Sequence, residues 1–299
     1  MDESHWLVAL LRPDYLTLCG CYVAYMTFLW WLRRPLRNAG LVDLGWPCGL
    51  VAVAVYFYFT GTGWVPRRAV LCGMYAFCGT RFILGWFVRN IRDGEDRRWN
   101  YWRRHWQEGN GPLGIRSVDL NFLIFYHAQT FTTLLVFAVP LAVVAREPAE
   151  GFHPLEWVGI GLWLASFALE NVADYQLDQF RKSPEGKSGV CRRGLWAYSR
   201  HPNYFFEFLL WVAYAVFALP SAGGWIDRAF LLAVPVMAYW FLVHHSGIPL
   251  TERASLERRG EVFRKYQLEV SRFFPWFPGR DRGASPDAEP GAAADRGRM

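Results

Sequence analysis

Acidic side chains recur at helical spacing within an apolar segment near the middle of the chain. In FALENVADYQLDQFRK, residues 167–182, Glu170, Asp174 and Asp178 follow one another at intervals of four, and Arg181 continues the same stripe. Ionisable groups are costly inside a bilayer and mark functional sites there by default. Because apolar residues interleave with the stripe, we expect its polar face to border protein or a wet cavity. The alternative interpretation is a helix end that exposes these groups to the cytosol.

A second polar cluster lies where the next apolar segment begins, in GLWAYSRHPNYFFEFLLW. Arg200 and His201 precede Pro202, and proline suits the first turn of a helix. Asn203 and Glu207 then fall one turn apart on a single helix face. A basic pair that only anchored the helix at the lipid headgroups would not require Asn203 and Glu207 behind it. The cluster therefore indicates a ligand site.

The histidine pair His244 and His245 stands at the end of the last apolar segment. Since no third ligand is suitably spaced, we expect no metal site. A histidine beside several arginines suits a polyanionic ligand, because arginine binds phosphate through two parallel hydrogen bonds. The sequence has no GxGxxG and no GxxxxGK[ST] motif. A nucleotide would therefore have to be held by membrane helices.

Two other apolar segments carry isolated polar and aromatic residues. In VDLGWPCGL, Asp43 begins the run and Trp46 follows about one turn later. Asp43 is either the N-cap of a helix, a common use of Asp, or a catalytic carboxylate. Tyr126 and Gln129 bring polar groups into another apolar block. Aromatic walls with a few convergent polar groups suit a flat, lipophilic substrate, so we expect Trp46, Tyr126 and Gln129 to bind one that enters from the bilayer.

The apolar residues that must position these groups are collected in long blocks. Of 299 residues, 53% are hydrophobic, 18% aromatic and 19% charged, which excludes a disordered or collagen-like chain. A bilayer-spanning helix needs about 20 mostly apolar residues, and seven blocks of that length are present. They lie near 14–32, 43–61, 68–88, 120–145, 156–178, 204–222 and 226–247. We therefore predict an all-α, polytopic membrane protein with seven transmembrane helices.

The basic residues predict the orientation of these helices. Lys and Arg before, between and after the blocks number 1, 3, 2, 7, 1, 6, 1 and 10, so light and heavy segments alternate. Basic segments remain in the cytosol, which places the N-terminus outside and the C-terminus in the cytosol. The net charge of +6 then requires no nucleic acid, and the expected partners are membrane lipids and the lipophilic substrate. The six cysteines form no CxxC or zinc-ligand pattern, so we expect neither disulfides nor zinc.

We predict one domain over residues 1–278. Its cofactor-binding part is expected at about 156–278 and its substrate-facing part at about 14–145. The final segment, 279–299, lacks apolar periodicity and is predicted to be a disordered tail.

Several of these motifs together resemble those of a known family. The run DYQLDQFRK…GLWAYSRHPNYFFE, followed by HHSGIPLTE and YQLEVSRFFPWFP, resembles the bacterial branch of the steroid 5-alpha-reductases (3-oxo-5-alpha-steroid 4-dehydrogenases). The resemblance is specific over about 160–278 and looser over about 40–130. It implies seven spans, NADPH held by the C-terminal half, and hydride transfer to an enone such as a 3-oxo-Δ4-steroid. It also implies a bacterial inner-membrane protein whose cofactor site faces the cytosol.

The resemblance assigns roles by position. It implies that the cofactor is bound by Asp174, Arg181, Tyr198, His201, Asn203, Glu207, Tyr266 and one of His244 and His245, with His245 as our choice. The catalytic pair is expected to be Asp43 and Tyr75. Mammalian members polarise the 3-oxo group with a glutamate and a tyrosine; Asp43 falls at the glutamate position, whereas Cys78 falls at the tyrosine position. Tyr75, about one turn earlier, is the expected substitute. Asp43 would donate a hydrogen bond to the carbonyl oxygen directly, if burial keeps it protonated, or would orient a tyrosine or water.

Two other functions agree with part of this sequence pattern. Isoprenylcysteine carboxyl methyltransferases also carry an RHPxY segment that begins a helix, where they bind S-adenosylmethionine. The Asp174–Tyr175 and Arg181 arrangement, with Asn203 after the proline, favours the reductase. A non-catalytic sterol-binding protein would retain the pocket without the chemistry. Enone-dependent oxidation of NADPH distinguishes all three.

Overall fold

The computed structural model describes residues 10–96 and 98–279, and in this part of the chain the regular structure is helical, with no strand. The α-helices are α1 Pro13–Leu32, α2 Val42–Thr60, α3 Val65–Asp93, α4 Arg98–Gln107, α5 Val118–Thr132, α6 Val139–Val144, α7 Pro154–Lys182, α8 Pro202–Ala218, α9 Trp225–Trp240, α10 Ile248–Arg259 and α11 Glu261–Glu269. A π-helical segment, Thr133–Phe137, joins α5 to α6, and another, Phe241–His245, follows α9. The expected all-α class is confirmed for the described residues. The predicted tail lies outside them from residue 280 onward.

Six helical stretches among the described residues are long and apolar enough to cross a membrane. They are Pro13–Leu32, Ala39–Thr60, Val65–Ile91, Val118–Val144, Pro202–Ser221 and Trp225–Arg259. The chain is therefore an integral, multi-pass membrane protein. The seventh predicted span, 156–178, is helical within α7 but does not belong to this set. Glu170, Asn171 and Asp174 lower the hydropathy of its second half.

The described residues form two compact units. The first unit extends to Phe167 and also contains Phe208–Phe241; the second contains Ala168–Glu207 and the residues from Leu242 onward. The expected functional division into a substrate-facing part, 14–145, and a cofactor-binding part, 156–278, stays a prediction. The apolar first half of α7 belongs to the first unit, and its acidic second half belongs to the second.

Within the first unit, α7 meets α8 at a glycine. A Cβ atom on Gly159 would lie 2.9 Å from the backbone N and Cα of Phe217, whereas one on Gly161 would meet nothing within 4 Å. Small residues at such contacts let membrane helices approach closely. The backbone of α8 therefore packs directly over Gly159.

A buried ion pair joins the beginnings of α3 and α7 in the same unit. Arg67 Nε lies 2.5 Å from Glu156 Oε1, and both side chains are buried. The Arg67 guanidinium also donates to the carbonyl oxygens of Ala149 at 2.6 Å and Gly151 at 2.5 Å. Because these acceptors satisfy the buried charge, the pair fixes the connection that precedes α7.

Candidate functional site

The second unit is built around a buried carboxylate on α10. Glu252 Oε1 accepts hydrogen bonds from Arg200 Nε at 2.7 Å and His201 Nε2 at 3.1 Å. Its other oxygen accepts from Gln267 Nε2 at 2.9 Å. Burial lowers the pKa of His201, and the ring nitrogen is the donor in this bond because an ionised carboxylate only accepts hydrogen bonds. Glu252 therefore fixes the two residues that precede α8.

Arg200 is held by the backbone as well. Its Nη1 donates to the carbonyl oxygens of Gln267 at 2.9 Å and Val270 at 2.6 Å. Its backbone N–H donates to the carbonyl oxygen of Ser271 at 2.8 Å. Its side chain is only 6% exposed. Arg200 therefore positions the segment after α11 against the residues before α8, and it is not a headgroup anchor.

Tyr266 supports the same segment from α11. Its hydroxyl donates to the carbonyl oxygen of Trp196 at 2.6 Å, and burial raises the pKa of Tyr266. Beside it, Ser199 Oγ donates to the carbonyl oxygen of Phe273 at 2.8 Å and accepts from the backbone N–H of His201 at 3.1 Å. The Tyr266 hydroxyl thus orders the connection before α8, and a cofactor contact through this residue stays a prediction.

The structure brings two of the predicted cofactor residues into direct contact. Asn203 Nδ2, on the first turn of α8, donates to Asp174 Oδ1 on α7 at 3.2 Å. Asn203 Oδ1 is buried and has no hydrogen-bond partner among the described residues. Buried amide oxygens are normally paired, so this one is a candidate acceptor for a ligand donor.

The remaining predicted cofactor residues lie at the surface or at intermediate depth. Arg181, at the end of α7, and Tyr198 are exposed, whereas Glu207 and His245 are half-buried. The Tyr198 ring meets that of Phe277 edge-on, at 5.8 Å between centroids. Their roles toward a cofactor stay predictions.

In the first unit, Asp43 is an ion-pair partner. Asp43 Oδ2 lies 2.5 Å from Arg98 Nη2 on α4. The N-cap interpretation of Asp43 is wrong, because the cap position of α2 is Leu41 and no side chain caps this helix end. The sequence did not reveal where α2 begins, since Val42 and Asp43 are both compatible with a first turn.

The hydroxyl groups of two other predicted site residues are already bonded to the backbone. Tyr75 donates to the carbonyl oxygen of Phe137 at 2.9 Å, and Tyr126 donates to that of Ala39 at 2.8 Å. Both tyrosines are fully buried. Trp46 packs on Phe82 with 5.1 Å between ring centroids.

The turn that leads into α2 is held on several sides. Ala39 N donates to Glu95 Oε1 at 2.5 Å, and the carbonyl oxygen of Gly40 accepts from Trp86 Nε1 at 2.8 Å. Gly40 N donates to Asn38 Oδ1 at 2.9 Å. These bonds fix the backbone immediately before Asp43.

Sequence reasoning missed several residues that build these sites. Glu252 and Gln267 were not singled out, although Glu252 ends the quoted motif HHSGIPLTE. Arg98 was counted only as a loop charge. Their partners are distant in sequence, so spacing gave no signal. No group of three or more His, Cys, Asp or Glu residues that could hold a metal ion occurs within residues 10–96 and 98–279.

Comparison with known proteins places the chain in a family. An uncharacterized protein of Schizosaccharomyces pombe (strain 972 / ATCC 24843), C594.04c, is 27% identical over 279 residues, covering 84% of this chain and 76% of the relative. No solved structure matches the chain significantly. The family model described as "Protein of unknown function (DUF1295)" matches residues 29–270. Because this match covers most of the chain, the protein belongs to the DUF1295 family, which includes steroid 5-alpha-reductase-like membrane proteins.

Proposed function

We propose that this protein is a membrane-embedded reductase that uses NADPH to reduce the carbon–carbon double bond of an enone, with the Δ4 bond of 3-oxo-steroids as the most direct candidate. The contact between Asp174 and Asn203 carries the proposal. Both residues match the cofactor motif of the family that residues 160–278 resemble. In this contact the buried Asn203 Oδ1 has no hydrogen-bond partner among residues 10–96 and 98–279.

The residues of the second unit suit such a cofactor. Asn203 Oδ1 offers an acceptor to an amide or ribose donor, and Arg181 offers an exposed positive charge for phosphate. Around them, Glu252 holds Arg200 and His201 in place. A site held by such a network needs little rearrangement when the ligand binds. We assign NADPH to residues of the second unit.

The chemistry requires a donor at the substrate carbonyl. Bound NADPH supplies the hydride. When the β-carbon of an enone accepts a hydride, negative charge develops on the carbonyl oxygen, and a fixed hydrogen-bond donor there lowers the barrier. In the structure, Asp43 Oδ2 accepts from Arg98, so we assign Asp43 the role of orienting Arg98. The α-carbon takes its proton from water or a nearby acid.

The proposal includes the arrangement in the membrane. We infer that α7 is a seventh span, with its acidic stripe on a wet cavity and not in lipid. The arginine distribution then supports an N-terminus outside and a C-terminus in the cytosol of a bacterial inner membrane, with the cofactor site on the cytosolic side.

Enone-dependent NADPH oxidation by the purified protein in detergent tests the proposal. We expect loss of reduced-nicotinamide absorbance only when both the protein and a 3-oxo-Δ4-steroid are present. Mass spectrometry should show a product heavier by two hydrogens. Asn203→Ala should lose most of the activity, whereas Gln179→Ala, at an exposed position of α7, should retain it. Absence of oxidation with any of a panel of enones would refute the reductase.

The other candidates give different results in the same preparation. A methyltransferase would bind S-adenosylmethionine and transfer its methyl group to a prenylated cysteine. A sterol-binding protein would bind the steroid and leave NADPH unchanged. Binding measurements with NADPH and S-adenosylmethionine separate these cases before a substrate is known.

A further inference from the structure

Three arginine side chains come together in the second unit, and we call them the arginine cluster. Arg258 and Arg259 end α10, and Arg181 lies in the last turn of α7. Arg259 is half-buried and is repelled electrostatically by Arg258 and, more weakly, by Arg181. The side chains of Arg181 and Arg258 are exposed. The cluster is therefore accessible from solvent on the side of these two residues.

The connection after α7 brings the two helices together. It folds back on the end of α7, since a Cβ atom on the buried Gly186 would lie only 2.9 Å from the Cα atom of Arg181. The carbonyl oxygen of the next residue, Lys187, accepts a long hydrogen bond of 3.5 Å from Arg258 Nη2. The backbone thus holds the last turn of α10 beside the last turn of α7.

No ion pair joins the arginine cluster to a carboxylate in the described part of the chain. The neighbouring acidic residues pair with other bases: Asp178 with Lys182 at 2.6 Å, Glu257 with Arg253 at 4.0 Å, and Glu261 with Arg264 at 3.5 Å. Glu185, on the connection, is exposed, and its charge interacts with that of Arg193. The three positive charges therefore have no compensating anion among these residues.

Arg259 is the member that a helix end does not explain. Basic residues in the last turn of a helix interact favourably with its dipole, and this accounts for an exposed side chain such as Arg258. The Arg259 Nε atom, however, is buried and has no hydrogen-bond partner among residues 10–96 and 98–279. Its Nη1 and Nη2 atoms are not buried and form no hydrogen bond with these residues either. A half-buried guanidinium between like charges is costly, and an anionic ligand at its accessible nitrogens would offset that cost.

We propose that Arg181, Arg258 and Arg259 together bind the 2′-phosphate of NADPH. This inference rests on the proposed reductase, which assigns a phosphate to Arg181 alone. A terminal phosphate carries close to two negative charges and three acceptor oxygens, so several arginines can bind it at once. Each phosphate of the pyrophosphate bridge carries a single charge and matches three guanidinium groups less well.

Nucleotides that differ by the 2′-phosphate alone test the cluster without turnover. Titration calorimetry on the full-length protein in detergent compares 2′,5′-ADP with 5′-AMP, and NADPH with NADH. We expect wild type to bind the 2′-phosphorylated member of each pair more tightly. Arg259→Gln should lower the affinity for NADPH about tenfold to a hundredfold and leave that for NADH nearly unchanged. Arg264→Gln removes the same charge from an exposed residue that pairs with Glu261, and it should keep the preference.

The stability of the protein without nucleotide separates a ligand contact from a structural role. Arg259→Gln relieves the repulsion from two like charges, so the Tm without nucleotide should stay the same or increase. NADPH should raise the Tm of wild type more than NADH does, and it should lose this advantage with Arg259→Gln. A lower Tm combined with an unchanged affinity for NADPH would make Arg259 a structural residue and overturn the inference. If Arg259→Gln does not fold, Arg258→Gln, at an exposed position, decides by the same comparison.

Anionic lipid headgroups offer the same phosphate chemistry, and nanodiscs distinguish the two sources. Wild type and Arg259→Gln are compared in phosphatidylcholine alone and in a mixture with phosphatidylglycerol. We expect the preference of wild type for NADPH in both membranes. If Arg259→Gln keeps that preference and instead loses a stabilisation by phosphatidylglycerol, the cluster binds lipid and the inference is wrong. An NADPH affinity that Arg259→Gln leaves unchanged rejects the cluster and keeps the reductase, whereas wild type that binds neither NADPH nor NADH overturns both.

Discussion

At the scale of single residues, our proposal has the side-chain amide of Asn203 bond to the protein through its nitrogen and to the ligand through its oxygen. Its nitrogen donates to Asp174, and its buried oxygen has no protein partner among the described residues. We expect Asn203→Ala to weaken NADPH binding by about tenfold to a hundredfold, because one hydrogen bond to a charged or polar ligand group contributes roughly 1.5–3 kcal/mol. Titration calorimetry measures this, with Gln179→Ala as control. An unchanged affinity for NADPH would show that Asn203 is not part of the cofactor site.

Arg181 tests which nicotinamide cofactor is used. It is exposed at the end of α7, on the stripe that also carries Asp174. NADPH differs from NADH by a phosphate, which arginine binds well. We expect Arg181→Ala to raise the KM for NADPH far more than the KM for NADH. Lys182 pairs with Asp178 at 2.6 Å, so Lys182→Ala should leave the preference nearly unchanged. An equal increase in the KM for both cofactors would mean that Arg181 binds the pyrophosphate or has a structural role.

At the scale of elements, Glu252 joins α10 to the residues before α8. Glu252→Gln removes the charge that balances Arg200, and we expect a loss of roughly 3–5 kcal/mol of stability because one partner of a buried pair is left uncompensated. Glu257→Gln is the control, since Glu257 lies on the same helix with 60% of its side chain exposed. Thermal unfolding in detergent should show a marked decrease for the first variant and little change for the second. Equal midpoints would mean that the network contributes no stability.

The contact between α7 and α8 can be tested with two neighbouring glycines. Gly159→Ala would place a methyl group 2.9 Å from the backbone of Phe217, and overpacking of this kind costs roughly 1–3 kcal/mol. Gly161→Ala meets open space and should be neutral or slightly stabilising. The same thermal assay compares them. A neutral Gly159→Ala would show that the two helices can separate at this point without cost.

A feature could be predicted from the sequence when residues close together in the chain determine it. The blocks that contain α1, α2 and α3 were predicted because runs of apolar residues are themselves the signal for a membrane helix. The contact of Asp174 with Asn203 joins residues 29 apart, and each was identified from its own segment. The bond of Arg200 to Glu252 spans 52 residues and has no periodic signature, so it required the structure. The Nε1–H of the buried Trp99 has no acceptor in the described part of the chain, and this could not be predicted either, since it depends on the three-dimensional surroundings of the ring.

At the scale of the whole molecule, cysteine labelling measures the topology. In our proposal α7 crosses the membrane, so exposed positions before and after it lie on opposite sides. In a background in which the six cysteines are replaced, we expect Glu150→Cys to react with a membrane-impermeant maleimide in intact cells. Ser188→Cys should react only after the membrane is opened. If both react in intact cells, α7 is not a span and the model with seven helices fails.

The bonds of Arg200 also constrain the order in which the chain can mature during synthesis. Its backbone acceptors, Gln267, Val270 and Ser271, leave the ribosome about seventy residues after it. Until then, the nascent chain carries a guanidinium whose final acceptors have not been made, and the segment before α8 cannot reach its final form. The same dependence holds for Ser199, which donates to the carbonyl of Phe273. A chain released from the ribosome before these residues are made should therefore have inserted helices and an incompletely folded second unit. For the same reason, an affinity tag should be attached after residue 279.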